Sequence, residues 1–189
     1  MEKKELRRII LSERTNMDKI AAANFSEKIC SKVKHSDIYK NADTIFAYAS
    51  IRNEVCCDSI IESALKDGKK VALPKVLSSG QDSNMEFFYI ASSDETESGF
   101  MQIQEPKSTA QPAVPDDTTL IIVPGIVFDR KFHRIGFGKG FYDRYFSKYP
   151  CGAAKAAVCY GFQLLDEIPS DDHDIPVDAI ITPGTELFR

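Results

Sequence analysis

TTLIIVPG (Thr118–Gly125) is a short apolar run that ends in a proline-glycine pair. RIGFGKGFYDRY (Arg134–Tyr145) follows closely, with three glycines, a lysine and an aspartate between two hydrophobic segments. The first stretch reads as a strand buried on both faces, the mark of a covered, largely parallel sheet. In open sheets of that kind, ligands bind at the carboxyl ends of the strands. The junction between the two stretches is therefore where a site is expected.

Working outward, TIFAYASI (Thr44–Ile51), KKVALPKVL (Lys69–Leu77), MEFFYIA (Met85–Ala91), AKAAVCYGF (Ala154–Phe162) and VDAIIT (Val177–Thr182) read as further strands. Between them lie helical patterns. Leu6, Ile9 and Ile10 are spaced for a helix over residues 2–15. A second helix starts at an Asp18 N-cap and runs through KIAAANFSEKICSKVK. CCDSIIESALKDG closes at Gly68, and YDRYFSKY continues from the glycine-rich stretch. Residues 92–117 are polar, contain three prolines and show no periodicity; they read as a surface connector. The alternation predicts a three-layer α/β/α fold with a largely parallel sheet, in one domain over residues 1–189.

Composition narrows the function. A net charge of −4 and the lack of a basic arm argue against nucleic acid. No apolar run approaches the ~20 residues of a membrane span, and the charged N-terminus has no signal-peptide core. Five cysteines, with no C-x-x-C pair, read as reduced thiols. A soluble, cytoplasmic monomer is the expectation.

Gly136, Gly138 and Gly140 let the backbone approach a ligand and turn its N–H groups into an anion nest. Lys139 adds a mobile charge and Arg134 a planar fork. The pattern is neither a Walker A loop nor a dinucleotide fingerprint, because Gly140 follows Lys139 directly. Asp143, one helical turn further on, either holds magnesium or complements the helix N-terminus. Phe141 and Tyr142 either stack on a planar ligand or fill core. His133 and His173 read as loop residues without catalytic partners.

VPGIVFDRKFHRIGFGKGFYDRYF (Val123–Phe146) resembles the signature of the 5-formyltetrahydrofolate cyclo-ligase family, also called methenyltetrahydrofolate synthetases. KKELR, SIRNEV and IPSDDHDIPVDAIITP occur in the family's order, so the resemblance spans nearly the whole chain. It implies the fold class of sugar-phosphate isomerases and CoA transferases. The implied reaction converts 5-formyltetrahydrofolate and ATP into 5,10-methenyltetrahydrofolate, ADP and phosphate, through a phosphorylated formyl oxygen that N10 displaces. The folate is expected with or without a polyglutamate tail.

By the same resemblance, Lys3, Lys4, Arg7 and residues Arg134, Ile135, Gly136, Phe137, Gly138, Lys139, Gly140, Phe141 and Tyr142 would bind ATP. Ala49, Glu54, Phe137, Lys139 and Phe141 would contact folate. Lys139, Arg134 and Tyr142 would serve catalysis, and Asp143 and Asp174 would hold Mg2+. Without the family, Lys3 and Arg7 read as a solvated basic face, and Glu54 as either a ligand contact or an exposed helix-start residue. Phe132 stands where the family has glycine, at a cost of ~1–2 kcal/mol if the backbone is left-handed, and Phe141 replaces a tyrosine. A small-molecule kinase, a non-catalytic binding relative and a sugar-phosphate isomerase are the competing functions.

Overall fold

A computed structural model describes residues 1–79 and 82–189 of the chain. The apolar runs become the parallel centre of an eight-stranded sheet. In chain order its strands are β1 (Thr44–Phe46), β2 (Lys70–Ser79), β3 (Asp82–Ile90), and, after a ribbon of β4 (Thr96–Ser98) and β5 (Gln104–Pro106), β6 (Pro112–Ala113) and β7 (Thr119–Val123). A small three-stranded sheet takes β8 (Val127–Asp129), β9 (Arg134–Ile135) and β11 (Leu164–Leu165). β10 (Ala154–Val158), β12 (Ala179–Ile181) and β13 (Glu186–Phe188) complete the main sheet, whose order is β13-β12-β10-β7-β1-β2-β3-β6. β12, β10, β7, β1 and β2 run parallel, and β13, β3 and β6 pair antiparallel at the edges.

Burial on both faces explains the continuous apolar runs. Along β7, Leu120 and Ile122 face one core, while Ile121 and Val123 face the other. The first core is closed by α2 (Lys19–His35) and α4 (Asp58–Lys66), through Ile29, Val33, Ile60 and Ala64. Between them, α3 (Asp37–Lys40) is a single turn carrying buried Tyr39. The second core is closed by α5 (Phe141–Lys148), whose Tyr145 and Phe146 pack with Phe46 and Phe87. This is the expected three-layer α/β/α arrangement. Asp18 caps α2 by accepting from the N–H groups of Ile20 and Ala21, and Gly68 takes φ 75° just past α4.

α1 (Lys3–Asn16) belongs to neither layer. Its Leu6 and Ile10 pack on Ile126, Val127, Ile135 and Ile168, so it lies on the small sheet beside the carboxyl end of β7.

Two stretches differ from their sequence reading. The strand expected over 44–51 pairs only to Phe46, because the chain then turns: Arg52 and Asn53 both have positive φ, 48° and 56°. The connector over 92–117 carries the β4–β5 ribbon, β6 and two 3-10 turns. Its strands are held by backbone pairing at edges rather than by an apolar face, so they leave no period-2 pattern.

Candidate active site

The cleft sits where the strands end, as the parallel topology predicts. It has a volume of about 1120 Å³ and is lined by the ends of β1 and β7, by the glycine-rich stretch, by α1 and by the β2–β3 hairpin. Of the residues expected to bind or react, all but Lys4 line it. Lys4 is exposed, on a different side of α1 from Lys3 and Arg7. The other two lie four residues apart and therefore share a face.

The glycine-rich loop is shaped by its neighbours. Gly138 (φ 88°) and Gly140 (φ 64°) adopt left-handed backbone, which glycine alone enters without cost. Gly136 leaves room for a guanidinium: a Cβ there would stand 2.7 Å from Arg134 Nη1. Arg7 Nε donates to the Gly136 carbonyl at 2.7 Å, tying α1 to the loop. Gly140 then opens α5, whose N-terminal end faces the cleft through Phe141, Tyr142 and Asp143. Lys139 is exposed and forms no ion pair among the described residues.

Two of the cleft's other cations, Arg134 and Lys3, are held by carboxylates. Arg134 is buried, and its Nη2 donates to both oxygens of Asp143 at 3.1 and 3.0 Å, while its Nε has no hydrogen-bond partner among the described residues. Lys3 Nζ donates to Asp171 at 2.6 Å and Asp174 at 2.5 Å. Burial works against the Lys3 charge, yet these two bonds raise its pKa above the ordinary value. Asp174 feels the converse: burial resists its ionisation, but Lys3 and the Asp171 N–H hold it below the usual carboxylate range. Asp143 also accepts from Ile175 N at 3.3 Å, which links the two aspartate segments. Asp171, His173 and Asp174 bring ligand atoms within 4.8 Å of one another, so His173 stands closer to the acidic group than its bland reading implied.

Tyr142 belongs to both core and cleft. Its ring meets Phe87 and Phe146, with Arg134 5.4 Å above it. Burial pushes its hydroxyl pKa well up, so it remains a neutral donor. Phe141 is half-buried against the same core, with Arg144 over its ring at 5.4 Å.

Glu54 occupies a different environment. It is buried, its Oε2 accepts from Ile51 N at 3.1 Å, and Arg14 Nη2 lies 3.7 Å from Oε1. Burial pushes its carboxyl up to about 7, against the opposing pull of Arg14, the Ile51 N–H and Arg52. Beside it, Phe137 lies 5.7 Å from the Arg14 guanidinium and 5.9 Å from that of Arg52. Ala49, Pro74, Val76, Met85, Phe100 and Ile103 add an apolar wall.

Sequence reasoning missed Arg14, Arg52, Phe100 and Ile103. Arg14 had a signal, since Lys3, Arg7 and Arg14 recur at helical spacing on one face. Phe100 and Ile103 had none, lying in the connector read as featureless.

Phe132 keeps the left-handed backbone that glycine would favour, with φ 71°. Asp129, fully buried, holds that turn by accepting from Lys131 N, His133 N, His133 Nδ1 and Ile168 N. His133 is thereby a structural partner of the turn that delivers Arg134.

The α/β/α fold thus carries one cleft with a cationic glycine loop at one end and an apolar, carboxylate-bearing wall at the other. Residues 1–183 match the model of the 5-formyltetrahydrofolate cyclo-ligase family, and the chain belongs to that family. It is 33% identical to a probable 5-formyltetrahydrofolate cyclo-ligase of Schizosaccharomyces pombe, over 97% of this chain and 96% of the relative. It is 30% identical to the Escherichia coli 5-formyltetrahydrofolate cyclo-ligase, over 76% and 79%. The NMR structure of Aquifex aeolicus 5,10-methenyltetrahydrofolate synthetase superposes with a TM-score of 0.86 at 32% identity, covering 100% of this chain and 93% of that one. A Mycoplasma pneumoniae 5,10-methenyltetrahydrofolate synthetase gives 0.77 at 26% identity, covering 97% and 99%.

Proposed function

We propose that the chain converts 5-formyltetrahydrofolate to 5,10-methenyltetrahydrofolate at the expense of ATP, within the cleft described above. The observation that carries this is the meeting in one cavity of free Lys139, the Arg134–Asp143 pair and buried Glu54. The formyl oxygen attacks the γ-phosphorus and ADP leaves. The N10 lone pair then adds to the formyl carbon, the carbon–oxygen bond breaks, phosphate departs and N10 loses its proton. No protein nucleophile is required, so the side chains act by alignment and charge.

Lys3 and Arg7 reach phosphate oxygens from α1, and the N–H groups and α5 N-terminus of the glycine loop cradle the transferring group. Ile135 fixes the loop base in the apolar cluster under α1. Arg134 and Lys139 offset the charge that develops on the phosphoryl oxygens. The neutral Tyr142 hydroxyl donates a hydrogen bond there. Two carboxylates beside the phosphate cradle suit Mg2+, so Asp143 and Asp174 would hold it, and the ion would neutralise ATP oxygens. Glu54, when ionised, accepts two parallel N–H donors from the aminopyrimidine edge of the pterin. Ala49, Phe137 and Phe141 flank the ring.

The same proposal takes the chain as one domain, supported by a sheet that draws strands from both halves, acting as a cytoplasmic monomer on mono- or polyglutamylated folate. The Arabidopsis thaliana relative is named as mitochondrial; among the described residues no helix is long and apolar enough to cross a membrane.

The test is isotopic. With heavy oxygen in the formyl group, the label is expected in the released phosphate. Product formation with the label released as water would overturn the phosphorylated intermediate. ATP binding with no folate turnover would leave the phosphate cradle and remove the folate assignment.

A further inference from the structure

The proposed reaction uses Lys3 and Arg7 of α1 and leaves a third cation on the same face unexplained. Arg14 is 1% exposed, an unusual place for a permanent charge. Its Nε donates to the Arg52 carbonyl at 3.1 Å and its Nη1 to the Gly125 carbonyl at 3.2 Å. Its Nη2 has no hydrogen-bond partner among the described residues and stands 3.7 Å from Glu54 Oε1. The partner segment answers in kind: Asn53 Nδ2 donates to the carbonyls of Arg14 at 3.1 Å and Met17 at 3.4 Å. Arg52 and Asn53 are consecutive left-handed non-glycine residues, which persist only where surrounding contacts over-determine them.

We propose that Arg14 is a positioning residue for the folate: it locks the Ile51–Glu54 turn and keeps the Glu54 carboxylate ionised and presented to the cleft. This rests on the reading of Glu54 as the pterin contact. Of the other groups around Glu54, one adds positive charge, with a smaller effect than Arg14. Arg52, on its own loop, is the second cation. Tyr48, Cys57 and Tyr142 face it as hydroxyls and a thiol whose own burial raises their pKa values, so they stay neutral. Tyr160 donates to the Glu54 carbonyl, not to its side chain. Arg14 is therefore the principal counter-charge of a carboxyl that burial alone would leave protonated.

The test measures kcat/KM for the folate against pH at saturating ATP, in the wild type, Glu54→Gln, Arg14→Met and Arg14→Lys. The wild type is expected to show an acid limb that Glu54→Gln abolishes. In folded Arg14→Met that limb moves up by about one pH unit or more, so activity falls about fivefold at pH 7 and is largely regained at pH 9. Arg14→Lys keeps the charge and restores the limb. One ammonium cannot reach two carbonyls and a carboxylate together, so folate KM rises about tenfold while kcat stays within threefold. An arginine that only stabilised the fold would move neither the limb nor the KM. An unshifted limb in folded Arg14→Met overturns the proposal. If Arg14→Met is not recovered folded, an unchanged folate KM in Arg14→Lys overturns it. If Glu54→Gln itself leaves limb and folate KM unchanged, it is the pterin reading of Glu54 that falls.

Discussion

The two ends of the cleft are built on opposite plans. At the phosphate end, cations and carboxylates satisfy one another within the protein: Lys3 with Asp171 and Asp174, Arg134 with Asp143, Arg7 with a loop carbonyl. At the folate end, Glu54 sits buried beside apolar side chains, with the Arg14 Nη2 3.7 Å away making no hydrogen bond to it. The first end is an array that must exchange partners to admit a ligand. The second holds a group at a free-energy cost until a ligand arrives. Substitutions at the two ends should accordingly divide between the two substrates.

The largest effect is expected at Lys139, which forms no ion pair among the described residues. Lys139→Ala should lower kcat by about 100- to 1000-fold, the range for removing one preorganised donor from a charge-developing site. A change below tenfold would mean that the loop lysine does not meet the transferring phosphoryl group.

Glu54→Gln should come next and act on the other substrate, raising folate KM by roughly 30- to 100-fold with ATP KM within threefold. It carries a separate stability signature. The folded carboxyl is raised from 4.5 to about 7, so protonation favours the fold. That contribution is complete below about pH 4.5 and is lost as pH rises through about 7. Urea unfolding of the wild type should therefore show this group's share, on the order of 3 kcal/mol, disappear between pH 5 and pH 8. The decline should be absent from Glu54→Gln.

Lys3→Ala should raise ATP KM by about tenfold, because it removes a phosphate contact and releases Asp171 and Asp174. Lys4→Ala should change it far less, since Lys4 does not line the cleft. The smallest of the series is Phe100→Ala, expected to raise folate KM by about threefold to tenfold through lost apolar contact and to leave ATP KM alone. Equal effects of Phe100→Ala on both substrates would break the division of the cleft.

The parallel centre of the sheet was legible because burial on both faces forces runs such as TLIIV and AKAAV, and the helices because Asp18 and Gly68 punctuate them. The charged end was legible from the glycine-lysine spacing. The folate end was less so. Its turn at Arg52 and Asn53 depends on hydrogen bonds exchanged with Arg14, distant in sequence, and no local propensity announces it. Its apolar wall comes from a ribbon held by main-chain pairing, where side-chain pattern is silent. Phe132 shows the same limit: a buried aspartate holds a backbone shape that its side chain disfavours.

The most direct test of a shared cleft is the rise of methenyl-folate absorbance when the purified protein meets 5-formyltetrahydrofolate, ATP and magnesium. The expected rise requires ATP, is lost on chelation of the metal and is abolished in Lys139→Ala. A rise without ATP, or one that Lys139→Ala leaves unchanged, would contradict it.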